Sequence, residues 1–158
     1  MEPQTPNLRL ILQTREDVRA MIEGMSPFEK AQLSAAWLAQ YEASTAADPW
    51  VHGFRVLHRS SGKEVGFCSF KGPPTDGVVE IAYGIAPDEQ GKGYATEAAR
   101  ALVEFARTFR EVRVIRAHTL PDGAASKRVL EKCGFKHTGE VIDPEDGLVW
   151  RFEIAGSA

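Results

Sequence analysis

The spacing of apolar residues changes period several times along the chain, and each change marks an element. Asn7 to Leu12 alternates enough to predict a first strand. Thr14, with Asp17 three residues on, is a capping pair that opens a short helix through Met21 to Gly24. Ser26, Pro27 and Glu29 supply N-cap, N1 and N3 of a second helix, with Phe28, Ala31, Ala35, Leu38 and Tyr41 on one face. Asp48-Pro49 breaks that pattern. Val51 to Leu57 and Glu64 to Phe70 read as two strands joined at Ser60-Ser61-Gly62-Lys63, a hairpin. After the Gly72 to Gly77 loop, Val78 to Ala86 reads as a strand ended by Pro87.

A long amphipathic helix follows, with Ala95, Ala98, Leu102, Phe105, Ala106 and Phe109 on one face and Glu97, Arg100, Glu104 and Arg107 on the other. Val112 to Ala117 is a short strand of the buried type. Asp122 is placed to cap a helix holding Ala125, Val129, Leu130 and Cys133, which Gly134 ends. Two last strands, Lys136 to Val141 and Leu148 to Ile154, flank the turn Asp143 to Gly147. This mixed order predicts an α/β (α+β mixed) fold, a sheet with helices on its faces rather than a continuous βα repeat.

Composition narrows the class. A chain of 158 residues with 43% hydrophobic and 26% charged residues is expected to form a single globular domain, residues 1–158. The net charge of −3 argues against nucleic acid as a partner. No apolar run approaches the ~20 residues of a membrane span, and Met1 to Pro6 lacks the features of a signal peptide. Cys68 and Cys133 are far apart, and His52, His58, His118 and His137 show no ligand spacing, so a reduced, cytoplasmic protein without a metal is expected.

The run Gln90-Gly91-Lys92-Gly93-Tyr94-Ala95-Thr96-Glu97-Ala98 lies where a strand turns into a helix. Backbone N–H groups at a helix N-terminus, left uncovered by glycine, make a site for phosphate or pyrophosphate, and Lys92 adds a positive charge. A Walker A loop would need Ser or Thr after Lys92, and a dinucleotide fingerprint would need glycine where Thr96 stands. An exposed glycine-rich turn is the alternative reading of so short a pattern.

Gln90, Gly93 and Ala95 resemble the pyrophosphate loop of the GNAT superfamily of acyl-CoA-dependent N-acetyltransferases. A second stretch, from Thr119 to Phe135, is similar to the family's later helix: Ser126, Gly134 and Phe135 keep its spacing from position 123. The wording from Glu80 to Ala98 is similar to the branch that includes ribosomal-protein-alanine acetyltransferases. The resemblance spans about Leu8 to Ile154. It implies the GNAT fold: a mostly antiparallel twisted sheet of about six or seven strands, splayed between the fourth and fifth, with about four helices. It also implies acetyl-CoA as co-substrate, held by Ile85, Ala86, Gln90, Gly91, Lys92, Gly93, Tyr94, Ala95, Thr96, Gly123 and Ser126. Two positions depart from the pattern. Gly123 stands where relatives carry an Asn that contacts the pantetheine arm, and Leu130 where many carry a proton-donating Tyr.

In the family an amine attacks the thioester directly in a ternary complex. A primary amine with pKa near ~10.4 is almost wholly protonated at pH 7, so a base is needed. Glu80 is the candidate. Alternation sends Val79 and Ile81 to the other face and leaves it beside small Ala82 and Gly84. Apolar surroundings would raise its pKa; a salt-bridged strand glutamate is the competing reading. A backbone N–H near Ile85 or Ala86 is expected to meet the developing oxyanion, with Gly84 marking a local bulge. Tyr83 is the candidate acid, and as a core aromatic it has a plainer role; Tyr94 and Cys133 read as packing residues. Trp37, Tyr41, Trp50 and His52 are available to line an acceptor site. The acidic loop from Asp143 to Asp146 either attracts a cationic amine or is a solvated turn. The expected partner is an amine, small molecule or protein N-terminus, and the expected state monomer or homodimer. A CoA-binding module with little activity is the alternative from another class, and an ATP-binding protein a third.

Overall fold

The computed structural model describes residues 3–157; Met1 and Glu2, part of the N-terminal stretch read above, lie outside them. The elements are β1 (Leu8–Leu12), α1 (Arg15–Glu23), α2 (Pro27–Ala31), α3 (Ala35–Glu42), β2 (Phe54–His58), β3 (Glu64–Phe70), β4 (Val78–Ile85), α4 (Tyr94–Arg107), β5 (Val114–Thr119), α5 (Ala124–Lys132), β6 (Lys136–Asp143) and β7 (Gly147–Ala155), with a 3₁₀ turn at Pro87–Glu89. The strands form one seven-stranded sheet in the order β1-β2-β3-β4-β5-β7-β6. All pairings are antiparallel except β4 with β5.

Local chemistry explains most boundaries. Thr14 and Asp17 form the reciprocal capping box at the start of α1, and Ser26 and Glu29 do the same for α2. The single helix expected from Ser26 to Tyr41 is instead two. Ser34 adopts an extended conformation and its side chain accepts from the Trp37 N–H, so it caps a new helix and ends the old one. That break resets the apolar face and leaves Phe28 75% exposed. Asp122 does not cap α5; Gly123 occupies the N-cap, without any side-chain hydrogen bond. Val51 lies in the turn before β2 rather than in the strand.

The core lies between one sheet face and the helix pair α4 and α5. Val79, Ile81, Ile115 and Ala117 from the two parallel strands meet Ala98, Leu102, Ala106 and Leu130, all buried. A smaller cluster of Val18, Tyr41 and Val51 ties α1 and α3 to the loop before β2. The opposite face of β3, β4, β5 and β7 carries polar side chains instead, and the candidate site is built there and in the gap between β4 and β5.

Candidate active site

β4 changes partners partway along. Val78 to Glu80 pair with Val114 to Arg116 on β5, whereas Ile81 to Ile85 pair only with β3. Beyond Glu80 the sheet opens into a wedge. Lys71 and Ala86 donate their backbone N–H groups to Glu80 and Val65, at 2.9 and 2.8 Å. Even-numbered residues of β4 therefore face β3, and alternation turns the N–H and C=O of Tyr83 and Ile85 toward the open side. Of the two N–H groups expected to serve an oxyanion, that of Ala86 is thus committed to β3 and that of Ile85 faces the wedge. The register across Gly84 is regular, so the expected bulge is not there; the wedge arises from loss of the β5 ladder alone. The side chain of Gln90 crosses the mouth of the wedge and donates from Nε2 to the Ile85 carbonyl at 3.0 Å.

The glycine loop closes the wedge at one end. Gly91 and Gly93 have φ of +80° and +84°, where an L side chain is strained, and a Cβ at either would meet nothing within 4 Å. Gly93 is the left-handed N-cap of α4 and no side chain caps the helix, so the first-turn N–H groups of Tyr94, Ala95 and Thr96 remain available. This open cradle with free donors suits a diphosphate. Lys92 is not a free charge: its Nζ lies 3.0 Å from Glu89, which also holds Lys63 at 2.7 Å. Those two ammonium groups, through hydrogen bonds above all, keep the Glu89 carboxyl below the usual glutamate range. Lys63, which sequence reasoning passed over, reaches the loop only because the β2–β3 turn lies beside it. At the wedge's far side, the Thr119 hydroxyl is buried without a hydrogen-bond partner among the described residues. An orphaned polar atom and an uncovered cradle fit a ligand running from loop to wedge.

Glu80 sits on the polar face, its side chain 23% exposed. Val79 and Ile81 do point the other way, but its immediate partners are ionic rather than apolar. Lys71 Nζ lies 3.3 Å and His118 Nδ1 2.9 Å from the same oxygen, Oε2. Arg151 Nε lies 3.1 Å from His118 Nε2. A guanidinium only donates, so Nε2 accepts and the ring proton sits on Nδ1, directed at Glu80. Beside this chain Arg116 pairs with Glu153 at 2.7 Å, outweighing burial and lowering the Glu153 carboxyl. His118 was missed from sequence because no ligand spacing involves it. Its signal was the alternation Arg116–His118 against Ile115–Ala117, which becomes legible only once the register places Arg116 beside Glu80 and Arg151 beside His118.

Tyr83 projects to the opposite face, its hydroxyl 3.0 Å from Ser126 Oγ on α5. Burial pushes its phenol above the usual value, against the pull of the Ser126 hydrogen bond. Leu130, about one helical turn beyond Ser126 on α5, is fully buried. Cys133 packs against the core, half-buried, its thiol raised by that burial. Tyr94 also packs there, with His58 beside its ring.

A cavity of about 410 Å³ is lined by residues of α3, β3 and their flanking turns, including Trp37, Gln40, His52, Phe67, Ser69 and Lys71. Of the four aromatic candidates for an acceptor site, Trp37 and His52 line it. Trp50 instead stacks edge-on against Phe70 and Phe109, and Tyr41 belongs to a larger cavity of about 830 Å³ between α1 and α3. That larger cavity includes no residue of β3, β4 or β5 and is crossed by the Arg15–Glu42 ion pair. The loop at Asp143 is an ordinary turn, Asp143 Oδ1 accepting from the N–H groups of Glu145 and Asp146.

A wedge between parallel strands, entered from a glycine cradle and bordered by a carboxylate, is the architecture of acyl-CoA acetyltransferases. The model of the acetyltransferase (GNAT) domain matches residues 4–136, and the chain belongs to that family, whose co-substrate is acetyl-CoA. It is 29% identical over 99 residues to the uncharacterized N-acetyltransferase YjdG of Bacillus subtilis, 62% of this chain and 56% of that protein. It is 33% identical over 88 residues to YnaD of the same organism, 54% and 51% of the two chains. The match thus spans about half the length of these curated relatives. Among solved structures, RimL, a ribosomal L7/L12 α-N-protein acetyltransferase bound to CoA, superposes with a TM-score of 0.72 at 15% identity, covering 100% and 99% of the two chains. Spermidine N-acetyltransferase from Vibrio cholerae, bound to CoA and spermine, gives 0.69 at 17% identity, covering 96% and 97%. None of the helices among the described residues is long and apolar enough to cross a membrane.

Proposed function

We propose that this protein is a cytoplasmic, single-domain N-acetyltransferase that moves an acetyl group from acetyl-CoA to a primary amine, a peptide N-terminus or a small amine, within a ternary complex. The observation that carries this reading is the opening of the β4–β5 ladder at Glu80, between the glycine cradle and a half-buried carboxylate. Acetyl-CoA supplies the activated acyl group. Gly91, Lys92, Gly93, Tyr94, Ala95 and Thr96 hold its diphosphate, Gln90 fixes the mouth of the wedge, and Gly123 and Ser126 border the arm.

Glu80 takes a proton from the acceptor ammonium, and the His118 Nδ1–H holds the carboxylate in place. The freed amine forms the new N–C bond as the thioester C–S bond breaks. The Ile85 N–H, turned into the wedge, donates to the oxygen that gathers charge. The ammonium loses two protons in all, one to solvent through Glu80 and one matched by the proton the departing sulfur takes up. Tyr83, a phenol kept protonated by burial, is the donor to that sulfur in place of the tyrosine that Leu130 replaces.

The amine acceptors named for RimL and for the spermidine enzyme support an amine acceptor here. A second reading, a CoA-binding module with little activity, is favoured by Gly123, which offers no side chain to the arm. Free thiol release from acetyl-CoA with a panel of amines separates the two. Amine-dependent release supports the enzyme; CoA binding with no amine dependence favours the module.

A further inference from the structure

The cavity beside Glu80 has a composition that bears on the acceptor. Phe67 and Ser69 on β3, and Lys71 just past its end, lie opposite Gly84, Ala82 and Glu80 on β4, and cross-strand partners share a face. The row Phe67, Ser69 and Lys71 is one wall of the cavity, and its last member, Lys71, reaches Glu80. Met21 and Phe67 are 41% and 40% exposed at its rim, large apolar side chains left facing water. Trp37, Val51 and Phe70 extend the apolar lining. Among the described residues its lining holds no Asp or Glu, and its one charge is the Lys71 ammonium, 3.3 Å from Glu80.

We propose, resting on the acetyltransferase reading above, that this cavity receives the acceptor and selects a primary amine on an apolar body that also bears a carboxylate, the chemistry of a hydrophobic amino acid. A lysine and a carboxylate held this close are the complement of a zwitterion whose ammonium and carboxylate sit on one carbon. The acceptor's carboxylate meets Lys71, drawing it off Glu80, and its ammonium meets Glu80, which is thereby free to take the proton. The side chain lies over Ala82 and Gly84 against Phe67, Trp37 and Met21. A volume of about 410 Å³ suits a molecule of that size. A polyamine is disfavoured on the same grounds: its second ammonium would enter a pocket without a counter-ion and beside Lys71.

The test measures kcat/KM by free thiol release with L-phenylalanine, phenethylamine and spermidine, and calorimetric binding of L-phenylalanine to the CoA-loaded protein. L-Phenylalanine is expected to exceed spermidine by at least tenfold and to exceed phenethylamine. Phe67→Ala should lower kcat/KM for L-phenylalanine by roughly 10-fold or more, chiefly through KM. Lys71→Met should lower kcat/KM for L-phenylalanine more than for phenethylamine, abolishing the preference between them. Faster acetylation of spermidine, or kinetics indifferent to both substitutions, overturns the acceptor assignment and leaves the acetyltransferase standing. Saturable L-phenylalanine binding without acetylation of any amine supports the pocket and removes the acetyltransferase reading. Neither binding nor acetylation of L-phenylalanine overturns the pocket.

Discussion

Replacing Glu80 by Gln isolates the role of base proposed for it, because the substitution spares nearly everything else the carboxylate does. The amide oxygen still accepts from His118, and the volume is unchanged. What is lost for folding is the pairing with Lys71, whose side chain is 55% exposed, so the cost is about 0–1 kcal/mol after solvent screening. What is lost for chemistry is the proton acceptor, a defect of roughly 10²–10⁴-fold, or about 2.7–5.4 kcal/mol in the barrier. The defect also has a characteristic pH dependence. An alkylamine of pKa about 10.4 is neutral in about one part in 2,500 at pH 7 and about one part in 25 at pH 9. A variant that waits for the free amine should accelerate about tenfold per pH unit, roughly 100-fold across that interval, while the native protein should rise less. The assay is kcat/KM for phenethylamine by thiol release from pH 7 to 9, with CoA affinity and Tm measured alongside. A variant as fast as the native protein at pH 7, or one whose deficit stays constant to pH 9, refutes a proton-acceptor role for Glu80.

Gly93→Ala should weaken CoA binding about tenfold by calorimetry, because the left-handed N-cap at φ +84° costs an L side chain about 1–2 kcal/mol unless the cradle relaxes; unchanged affinity would show that the cap geometry is not what holds the cofactor. Leu130→Tyr, which restores the residue many relatives carry, should lower stability by about 1–3 kcal/mol without raising kcat, since Leu130 is fully enclosed and has no space for a phenol. Glu97 on α4 accepts from Thr5 Oγ1 at 2.7 Å and from Asn7 Nδ2 at 2.9 Å, anchoring the segment before β1. Burial pushes its carboxyl up, but these hydrogen bonds together hold it below the ordinary glutamate value. Its stabilisation is thus fully present above that ordinary value and lost as pH falls through the lowered one. Glu97→Gln should cost about 1 kcal/mol at pH 7 by urea unfolding, with the difference from the native chain shrinking as pH falls below the ordinary glutamate range; a pH-independent difference would contradict this.

What the sequence by itself determined is what short-range chemistry decides. The capping boxes at Thr14 and Ser26, the positive-φ glycines of the loop and Gly134 after α5 are local choices, and each sits where its spacing placed it. The strand and helix periods gave nearly every element, and one error, the fusion of α2 with α3, came from reading a helical face through Ser34, whose own side chain competes for the backbone. The glycine cradle was likewise legible, because a helix N-terminus exposes its donors wherever it occurs. The tertiary structure alone decided the electrostatics. Whether Glu80 stands among apolar or charged neighbours depends on which residues lie across from it on β3 and β5, and Lys71, His118 and Arg151 are 9, 38 and 71 positions away along the chain. Lys92 reads as a free cation in one dimension and is paired in three, because Glu89 is close to it and also holds Lys63 from another turn. Even the wedge is a property of pairing: nothing in Ile81 to Ile85 marks where the β5 ladder ends. Coulomb and hydrogen-bond partners are set by register and by the packing of distant strands, and register is fixed only when the whole sheet has buried its apolar face.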